Sequence, residues 1–138
     1  MNHLTFLQCK ALKAAGVDFE KSEWVYPLRI SMSERQTRAS FKFRLDTKVC
    51  MSCPTAEEMA ERLPDEIIFD DNTDYIYKCK KGIRYRDKKW IADWISDDWA
   101  MSLLLVKTGK EIKNKDLTTA LCKALLWAQQ EGYMEGKE

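Results

Sequence analysis

Two cysteines stand close enough in this sequence to raise the question of metal or redox chemistry. Cys50 and Cys53 enclose Met-Ser, which is the spacing of half a zinc site and also of a redox dithiol. A structural zinc ion needs a second pair of ligands, and the other candidates are isolated: they are Cys9, Cys79, Cys122 and His3. No βαβ pattern surrounds Cys53, as a redox pair would require. Cys50 and Cys53 therefore remain weak metal-ligand candidates, and we expect no cofactor.

Side chains suited to catalysis are sparse. The single histidine, His3, stands at a terminus that is expected to fray, which removes most histidine-based dyads and triads. Two groups of carboxylates remain: Asp70, Asp71 and Asp74, and Asp97 with Asp98. They lack the spacing and glycine of an EF-hand, and acidic clusters in loops are usually solvated turn residues. The glycines are scattered rather than grouped in a phosphate-binding loop. We predict that the protein is not an enzyme.

The segment from Lys78 to Lys89 is strongly basic. It contains seven lysines and arginines and a single acid, Asp87. Four of the basic residues would share one strand face: Lys78, Lys80, Arg84 and Arg86. Such a face can contact nucleic-acid phosphates. Alternatively, lysines on an outer face are simply solvated and suppress edge aggregation. Acidic residues just upstream could also neutralise the patch: they are Asp65, Glu66, Asp70, Asp71 and Asp74.

These basic residues belong to a stretch, 75–95, that predicts a β-hairpin. Alternate side chains of a strand share a face, and all but one of those at the odd positions here are apolar or aromatic: Tyr75, Tyr77, Cys79, Lys81, Ile83 and Tyr85. If Asp87 and Lys88 form the turn, Tyr85 lies opposite Trp90, and Lys81 opposite Trp94. The aromatic face then continues across both arms. We expect helices to cover this face and Arg84 and Arg86 to be exposed.

Three helices are predicted, over residues 3–15, 55–63 and 116–131. The first has apolar residues at helical spacing: Leu4, Leu7, Ala11 and Ala14. Gly16 is placed to end it in a left-handed cap, with Val17 folding back toward Leu12.

The second and third helices have clearer boundaries. Thr55 and Glu58 form a capping box, and Pro64 stops the second helix, which would bury Met59 and Leu63. Asp116 is placed to cap the third. Its inner stripe would be Leu117, Ala120, Leu121, Ala124, Leu125 and Ala128. Gly132 would end that helix with Tyr133 packing back near Ala128.

The remaining segments give weaker signals. Residues 24–30 could include an edge strand, since Pro27 argues against a central one. Residues 31–40 predict a mobile loop, and 41–45 and 66–69 predict short strands. Residues 100–106 fit either a helix or a buried strand. We favour a strand there, because a return strand beside 90–95 would enlarge a marginal two-stranded hairpin.

The length, composition and net charge of the chain indicate one α+β domain over residues 1–138. The chain has 138 residues and a formal net charge of +1, so no overall field drives it toward nucleic acid or membrane. Its apolar runs are far shorter than the about 20 residues of a membrane span. The first residues lack the features of a signal peptide, and the odd number of cysteines favours reduced thiols, which together predict a cytoplasmic protein. We expect a small antiparallel sheet built on the 75–95 hairpin, with helices on one face.

Two further strings carry a resemblance. One is Cys-Pro-Thr-Ala-Glu-Glu-Met-Ala-Glu-Arg-Leu-Pro at 53–64, and the other is Leu-Cys-Lys-Ala-Leu-Leu-Trp-Ala-Gln-Gln-Glu-Gly-Tyr at 121–133. With the hairpin between them, they resemble short α+β proteins encoded by phages, prophages and mobile elements, most of which have no assigned activity. The resemblance implies a fold and a bacterial or phage context, and it transfers no functional residue.

These observations predict a non-enzymatic accessory or interaction protein. Its partner would be another protein in the bacterial cytoplasm. The alternative is a nucleic-acid-binding module that uses Lys78, Lys80, Arg84 and Arg86.

Overall fold

The protein has an α+β fold, as predicted, built on two antiparallel sheets. The computed structural model describes residues 3–17, 19, 22, 24–27, 39–40, 50–70, 76–96, 102–108 and 111–134. The helices are α1 (Phe6–Ala14), α2 (Ala56–Arg62), α3 (Leu103–Thr108) and α4 (Leu117–Gln130). The strands are β1 (Trp24–Pro27), β2 (Ala39–Ser40), β3 (Cys50–Ser52), β4 (Glu66–Asp70), β5 (Ile76–Arg86), β6 (Lys89–Ser96) and β7 (Lys113–Asn114). Their order is β2-β1-β3 in one sheet and β4-β5-β6-β7 in the other.

The β5–β6 hairpin has the predicted register. Tyr85 pairs with Trp90, and Lys81 pairs with Trp94. The turn residues Asp87 and Lys88 have φ angles of 54° and 63°. Positive φ at both central positions is the type I′ geometry, whose twist matches that of the two strands. The prediction of the hairpin and of its turn is confirmed.

Helices α2 and α4 also follow their sequence signals. The Thr55 hydroxyl accepts from the backbone N–H of Glu58 at 3.1 Å, and the Glu58 carboxylate accepts from the N–H of Thr55 at 2.8 Å. At the end of α4, Gly132 has a φ of 82°, and the N–H of Tyr133 donates to the carbonyl of Ala128 at 2.9 Å. The capping box and the glycine-terminated closure are therefore both confirmed.

The start of α4 differs in one detail from the prediction. Asp116 occupies the N-cap position, but its side chain makes no capping bond to the backbone. Its carboxylate accepts instead from the hydroxyls of Thr118 and Thr119, each at 2.8 Å.

Helix α1 buries a different face from the one predicted. Its end is as expected, since Gly16 has a φ of 87° and the N–H of Val17 donates to Leu12. The buried residues of the helix are Cys9 and Leu12, whereas Leu7 is 72% exposed, and Ala11 and Ala14 are exposed as well.

The physical reason lies in where α1 begins. A capping box of Thr5 and Gln8 starts the helix at Phe6, so that Leu4 precedes the cap. Leu4 and Cys9 then occupy the two positions of a hydrophobic staple, and both are buried. The predicted stripe was wrong because it treated Leu4 as helical and left out the apolar cysteine.

The β2-β1-β3 sheet corrects two expectations. Strand β1 is central rather than an edge strand, because β2 pairs with Trp24 and Val25 while β3 pairs on the other side. Pro27 is tolerated because it is the last residue of β1, beyond the reach of β2. Of the predicted mobile loop at 31–40, residues 39 and 40 form β2, and the rest lies outside the described residues. The strand predicted at 41–45 also lies outside them.

Residues 100–106 were predicted to form a return strand, and this prediction was wrong. Leu103–Thr108 form α3, and only Ser102 makes a single bridge, to Ile95 of β6. Lys113 and Asn114 of β7 occupy the neighbouring position that the return strand was meant to fill. A leucine run fits a buried helix as well as a buried strand, so its local pattern could not decide between them.

One hydrophobic core joins both sheets and the helices. Its buried side chains come from α1, β1, β3, α2, β4, β5, β6, α3 and α4. Four residues of the predicted inner stripe of α4 belong to it: Leu121, Ala124, Leu125 and Ala128. Ala120 is buried as well, and Leu117 packs against the core while partly buried. Leu121 and Leu125 are 1% and 0% exposed. Trp94 of β6 lies at its centre with no exposed surface. This core covers one end of the β5–β6 hairpin.

Candidate interaction surface

The end of the hairpin nearest the core is tightly held, and we call it the proximal hairpin (residues 76–81 and 94–96). The indole N–H of Trp94 donates to the carbonyl of Pro64 at 2.7 Å, and its ring centroid lies 5.5 Å from that of Trp127 in α4. A buried indole normally finds such a hydrogen-bond acceptor. At Trp94 the aromatic face is therefore covered, as the sequence predicted.

Lys81, the one charged residue of that face, anchors the proximal hairpin to α2. Its Nζ donates to the carbonyl of Ala60 at 2.7 Å and lies 3.0 Å from the carboxylate of Asp65. The carbonyls of the last turn of a helix have no partner within the helix, and a cation there also suits the helix dipole. Lys81 therefore caps the C-terminal end of α2.

The turn end of the hairpin, residues 82–93, is the distal hairpin. Its aromatic pair projects beyond the core: Tyr85 is 58% exposed, and Trp90 is partly exposed. The two rings contact each other across the strands, with centroids 5.1 Å apart. The expected helix cover is therefore absent at Tyr85 among the residues that the structure describes. The register was right, but the helices reach only part of the face.

The opposite face of the distal hairpin carries an ionic cluster around the buried Asp93. The Arg84 guanidinium lies 3.6 Å from the carboxylate of Asp93 and 3.9 Å from that of Glu111. The Ser102 hydroxyl donates to Asp93 at 2.6 Å. Burial raises the pKa of the Asp93 carboxyl above its ordinary 3.8, and the nearby Glu111 charge adds to the rise, while Ser102 and Arg84 lower it.

Gly82 makes room for this cluster. It pairs directly with Asp93 across the hairpin. A Cβ at Gly82 would lie 3.2 Å from one terminal nitrogen of Arg84 and 3.3 Å from a methyl group of Ile95. A larger residue at position 82 would therefore press against the Arg84 guanidinium and displace it from its contact with Asp93.

The four residues predicted to contact nucleic acid do not form one free basic surface. Arg84 is only 32% exposed and is paired with acids, contrary to the expectation of exposure. Arg86 is 55% exposed, as expected, and lies 3.9 Å from both Asp87 and Glu111. Lys80 pairs across the sheet with Glu66.

Lys78, the last of the four, is exposed beside Ile68. Two of the upstream acids suggested from the sequence do meet cations of the basic segment: Asp65 lies 3.0 Å from Lys81, and Glu66 pairs across the sheet with Lys80. Asp93 and Glu111, which were not suggested, lie near Arg84.

Among the residues that the structure describes, the distal part of β5 forms an open sheet edge. Strand β4 pairs with β5 as far as Lys80, and the N–H of Lys81 then donates to the backbone carbonyl of Asp65 at 2.9 Å. Backbone groups of alternate strand residues face the same edge, so those of Ile83 and Tyr85 point to the side where β4 has ended. No strand of the described residues pairs with them on that side. The edge carries backbone donors and acceptors ready to pair.

The four cysteines whose side chains the structure describes, Cys9, Cys53, Cys79 and Cys122, are all free thiols and all buried. The Cys53 thiol is fully buried and donates to the carbonyl of Leu4 at 3.8 Å, and the Cys50 side chain lies outside the described residues. Burial raises the pKa of the Cys122 thiol to about 11, which keeps it protonated. The described residues contain no metal-binding group of three or more histidine, cysteine or acidic side chains.

Asp71, Asp74, Asp97 and Asp98 lie outside the described residues, as does the side chain of Asp70.

The sequence analysis missed the buried acids Asp93 and Glu111 and their partner Ser102. One signal was present: Asp93 stands between Ala92 and Trp94 in an apolar strand, and a charge in such a place usually has a buried partner. Glu111 and Ser102 carry no comparable local signal. Only the path of the chain after β6 brings Glu111 close to Arg84 and Ser102 close to Asp93.

Comparison with models of protein families, with curated proteins and with solved structures finds no match to this chain. None of the helices among the described residues is long and apolar enough to cross a membrane.

Proposed function

We propose that this chain is a non-enzymatic interaction protein of phage or mobile-element type, and that it acts in the bacterial cytoplasm by binding a protein partner through its distal hairpin. The observation that carries the proposal is the exposure of Tyr85. A large aromatic side chain that leaves the core and still contacts a second ring is a typical anchor of a binding interface.

The surroundings of Tyr85 support the same surface. The hairpin is rigid, because its turn is of a favoured type and its strands pair without a break from Cys79–Ser96 to Arg86–Lys89. The Arg84–Asp93–Glu111 cluster, in which Asp93 is buried, holds the opposite face, so the exposed groups need little ordering when they bind. Preorganisation of this kind lowers the entropic cost of association.

Site-specific photo-crosslinking tests the proposal. A benzophenone amino acid at Tyr85, in protein expressed in bacterial cells, is expected to give a discrete adduct with another protein. The matched control is the same probe at Leu7, which is also an exposed hydrophobic residue but lies on α1. Equal adducts from both positions, or none from Tyr85, would contradict the assignment of the distal hairpin.

Nucleic-acid binding is the second candidate, because the Tyr85–Trp90 pair lies beside the exposed cations Arg86, Lys88 and Lys89. Bases of single strands stack on such rings. An anisotropy titration with single-stranded DNA, duplex DNA and RNA at low salt tests it. If the candidate is right, binding on the order of 10⁻⁶ M is expected.

Two sets of variants then locate any nucleic-acid contact. Replacing the four predicted basic residues, Lys78, Lys80, Arg84 and Arg86, with glutamine tests the strand face. Replacing Tyr85 with serine tests the aromatic tip. The structure favours a larger loss from the tip variant, and no binding to any of the three nucleic acids at low salt would remove this candidate.

A further inference from the structure

The open edge of β5 defines what kind of protein segment the distal hairpin would bind. We propose that an extended acidic peptide from a partner adds to this edge as an antiparallel strand beside Ile83 and Tyr85. This inference rests on the proposed function and specifies its ligand. Pairing of an extended segment with an exposed sheet edge draws its affinity from main-chain hydrogen bonds and its specificity from alternate side chains.

The backbone geometry sets which groups would pair. Arg86 and Lys89 flank the two-residue turn and therefore form a hydrogen-bonded pair. Arg84 and Arg86 thus direct their N–H and C=O groups toward β6. Those of Ile83 and Tyr85 face the open edge. The β4–β5 and β5–β6 pairs on this strand are both antiparallel. The added strand therefore bonds to Ile83 and Tyr85 while continuing the twist of the sheet.

The side chains of the edge set the composition of that strand. On one face, Ile83 and Tyr85 offer apolar and aromatic surface, and Tyr85 is exposed. On the other face lie Arg84 and Arg86, which are 32% and 55% exposed. Residues opposite each other in a sheet share a face, so apolar side chains of the peptide would meet the first pair and acidic ones the second.

A second copy of this chain fits the edge poorly. If Ile83 pairs with Tyr85 of the other copy, Arg84 lies opposite its own counterpart. If Tyr85 pairs with its counterpart, Arg84 lies opposite Arg86 of the other copy. Like charges directly opposite each other destabilise a strand pair. An acidic peptide would instead place a carboxylate opposite Arg86, which is 55% exposed and lies 3.9 Å from its nearest acids, Asp87 and Glu111. Charge complementarity at Arg86 therefore selects the acidic peptide over self-association.

Strand addition can be tested with a labelled nonapeptide of alternating glutamate and valine, measured by fluorescence anisotropy at low salt. In the proposed register the valine N–H groups face β5 and the glutamate N–H groups face away. N-methylation of the valine amides is therefore expected to weaken binding at least about tenfold, because it removes the bonds to the edge. N-methylation of the glutamate amides is the matched control and is expected to leave affinity within about twofold.

A charge-reversal substitution at Arg86 separately tests the preference for an acidic peptide. Arg86→Glu is expected to weaken binding of the glutamate–valine peptide about tenfold and to create binding of a lysine–valine peptide, with Arg86→Gln intermediate. Arg86 directs its backbone toward β6 and its side chain is 55% exposed, so the substitution leaves the hairpin bonds in place.

The outcomes separate the two proposals. Equal effects of the two methylation patterns, or no binding of the glutamate–valine peptide at millimolar concentration, would overturn strand addition. If the Tyr85 crosslink to a protein persists in that case, the proposed function stands with a different mode of binding. If the crosslink is also missing, both proposals fail. Binding of oligothymidine in place of the peptide, or a dimer that an Arg86→Glu substitution tightens, would likewise overturn the choice of ligand.

Discussion

Trp94 and Trp90 lie on the same strand and on the same face of the sheet, yet their environments are opposite. Trp94 has no exposed surface, bonds to Pro64 and contacts Trp127 of α4. Trp90 is partly exposed and contacts Tyr85, which is itself exposed. The alternation of a strand determines which face a side chain occupies. Whether that face is covered depends on how far the helices extend over it.

The same contrast separates the cations of β5. Lys81 belongs to the proximal hairpin and closes the end of α2, whereas Arg86 belongs to the distal hairpin and is more than half exposed. The proximal hairpin therefore contributes mainly to stability. The distal hairpin contributes Ala92 to the core and buries Ile91, while its exposed Tyr85 and Arg86 offer the surface that we propose for binding.

The largest expected effect comes from truncating the two tryptophans. Trp94→Ala is expected to lower the free energy of unfolding by about 3–5 kcal/mol, because it empties a buried site. Trp90→Ala is expected to cost about 1 kcal/mol, since it removes one cross-strand ring contact at a partly exposed site. Urea denaturation of both variants measures the two losses. Equal losses would show that the two halves of the hairpin do not differ in the way described.

The next effect tests the element that covers the proximal hairpin. Leu125→Ala on α4 is expected to cost about 2–5 kcal/mol, because Leu125 is fully buried. The measurement is again urea denaturation. A loss below about 1 kcal/mol would place this face of α4 at a surface, and α4 rather than the hairpin would become the candidate interface.

A smaller effect separates the two cations. Lys81→Met is expected to cost about 1–2 kcal/mol, because it removes a charged donor from the last turn of α2. Arg86→Met is expected to change stability by less than about 0.5 kcal/mol, since an exposed ion pair contributes little. Thermal or urea unfolding of the pair of variants provides the comparison. A greater cost for Arg86→Met would move the structural role to the distal hairpin.

The smallest expected effect is the pH dependence of the stability that Asp93, in the distal hairpin, contributes. Burial raises the folded-state pKa of Asp93 above its ordinary 3.8, so the folded protein keeps this proton where the unfolded chain has lost it. Stability from this group is therefore greatest at low pH and falls as pH rises from 3.8 through the raised pKa. Asp93→Asn removes this titration.

The comparison is made by urea denaturation between about pH 4 and pH 8. The free energy of unfolding of the wild type, relative to that of Asp93→Asn, is expected to decrease with rising pH. Glu111→Gln is expected to weaken this trend, because the Glu111 charge contributes to the raised pKa. A relative stability that increases with pH would show that the Arg84 ion pair outweighs the cost of burial.

Local signals determined much of this protein by themselves. The capping box of Thr55 and Glu58, the glycines after α1 and α4, and the alternation around the Asp87–Lys88 turn all act within a few residues. The α+β class and the hairpin register followed from them. The exposure of Arg86 could be predicted on the same basis, whereas Tyr85 was expected to lie under a helix and is exposed.

Only the tertiary structure decided the features that depend on distant parts of the chain. The leucine run at 103–105 became a helix, β1 became a central strand, and α1 buried Cys9 and Leu12 in place of Leu7. Likewise, Glu111 and Ser102 reach Arg84 and Asp93 only through the fold. Burial and strand pairing are set by what packs against a residue, and a single stretch of sequence does not contain that partner.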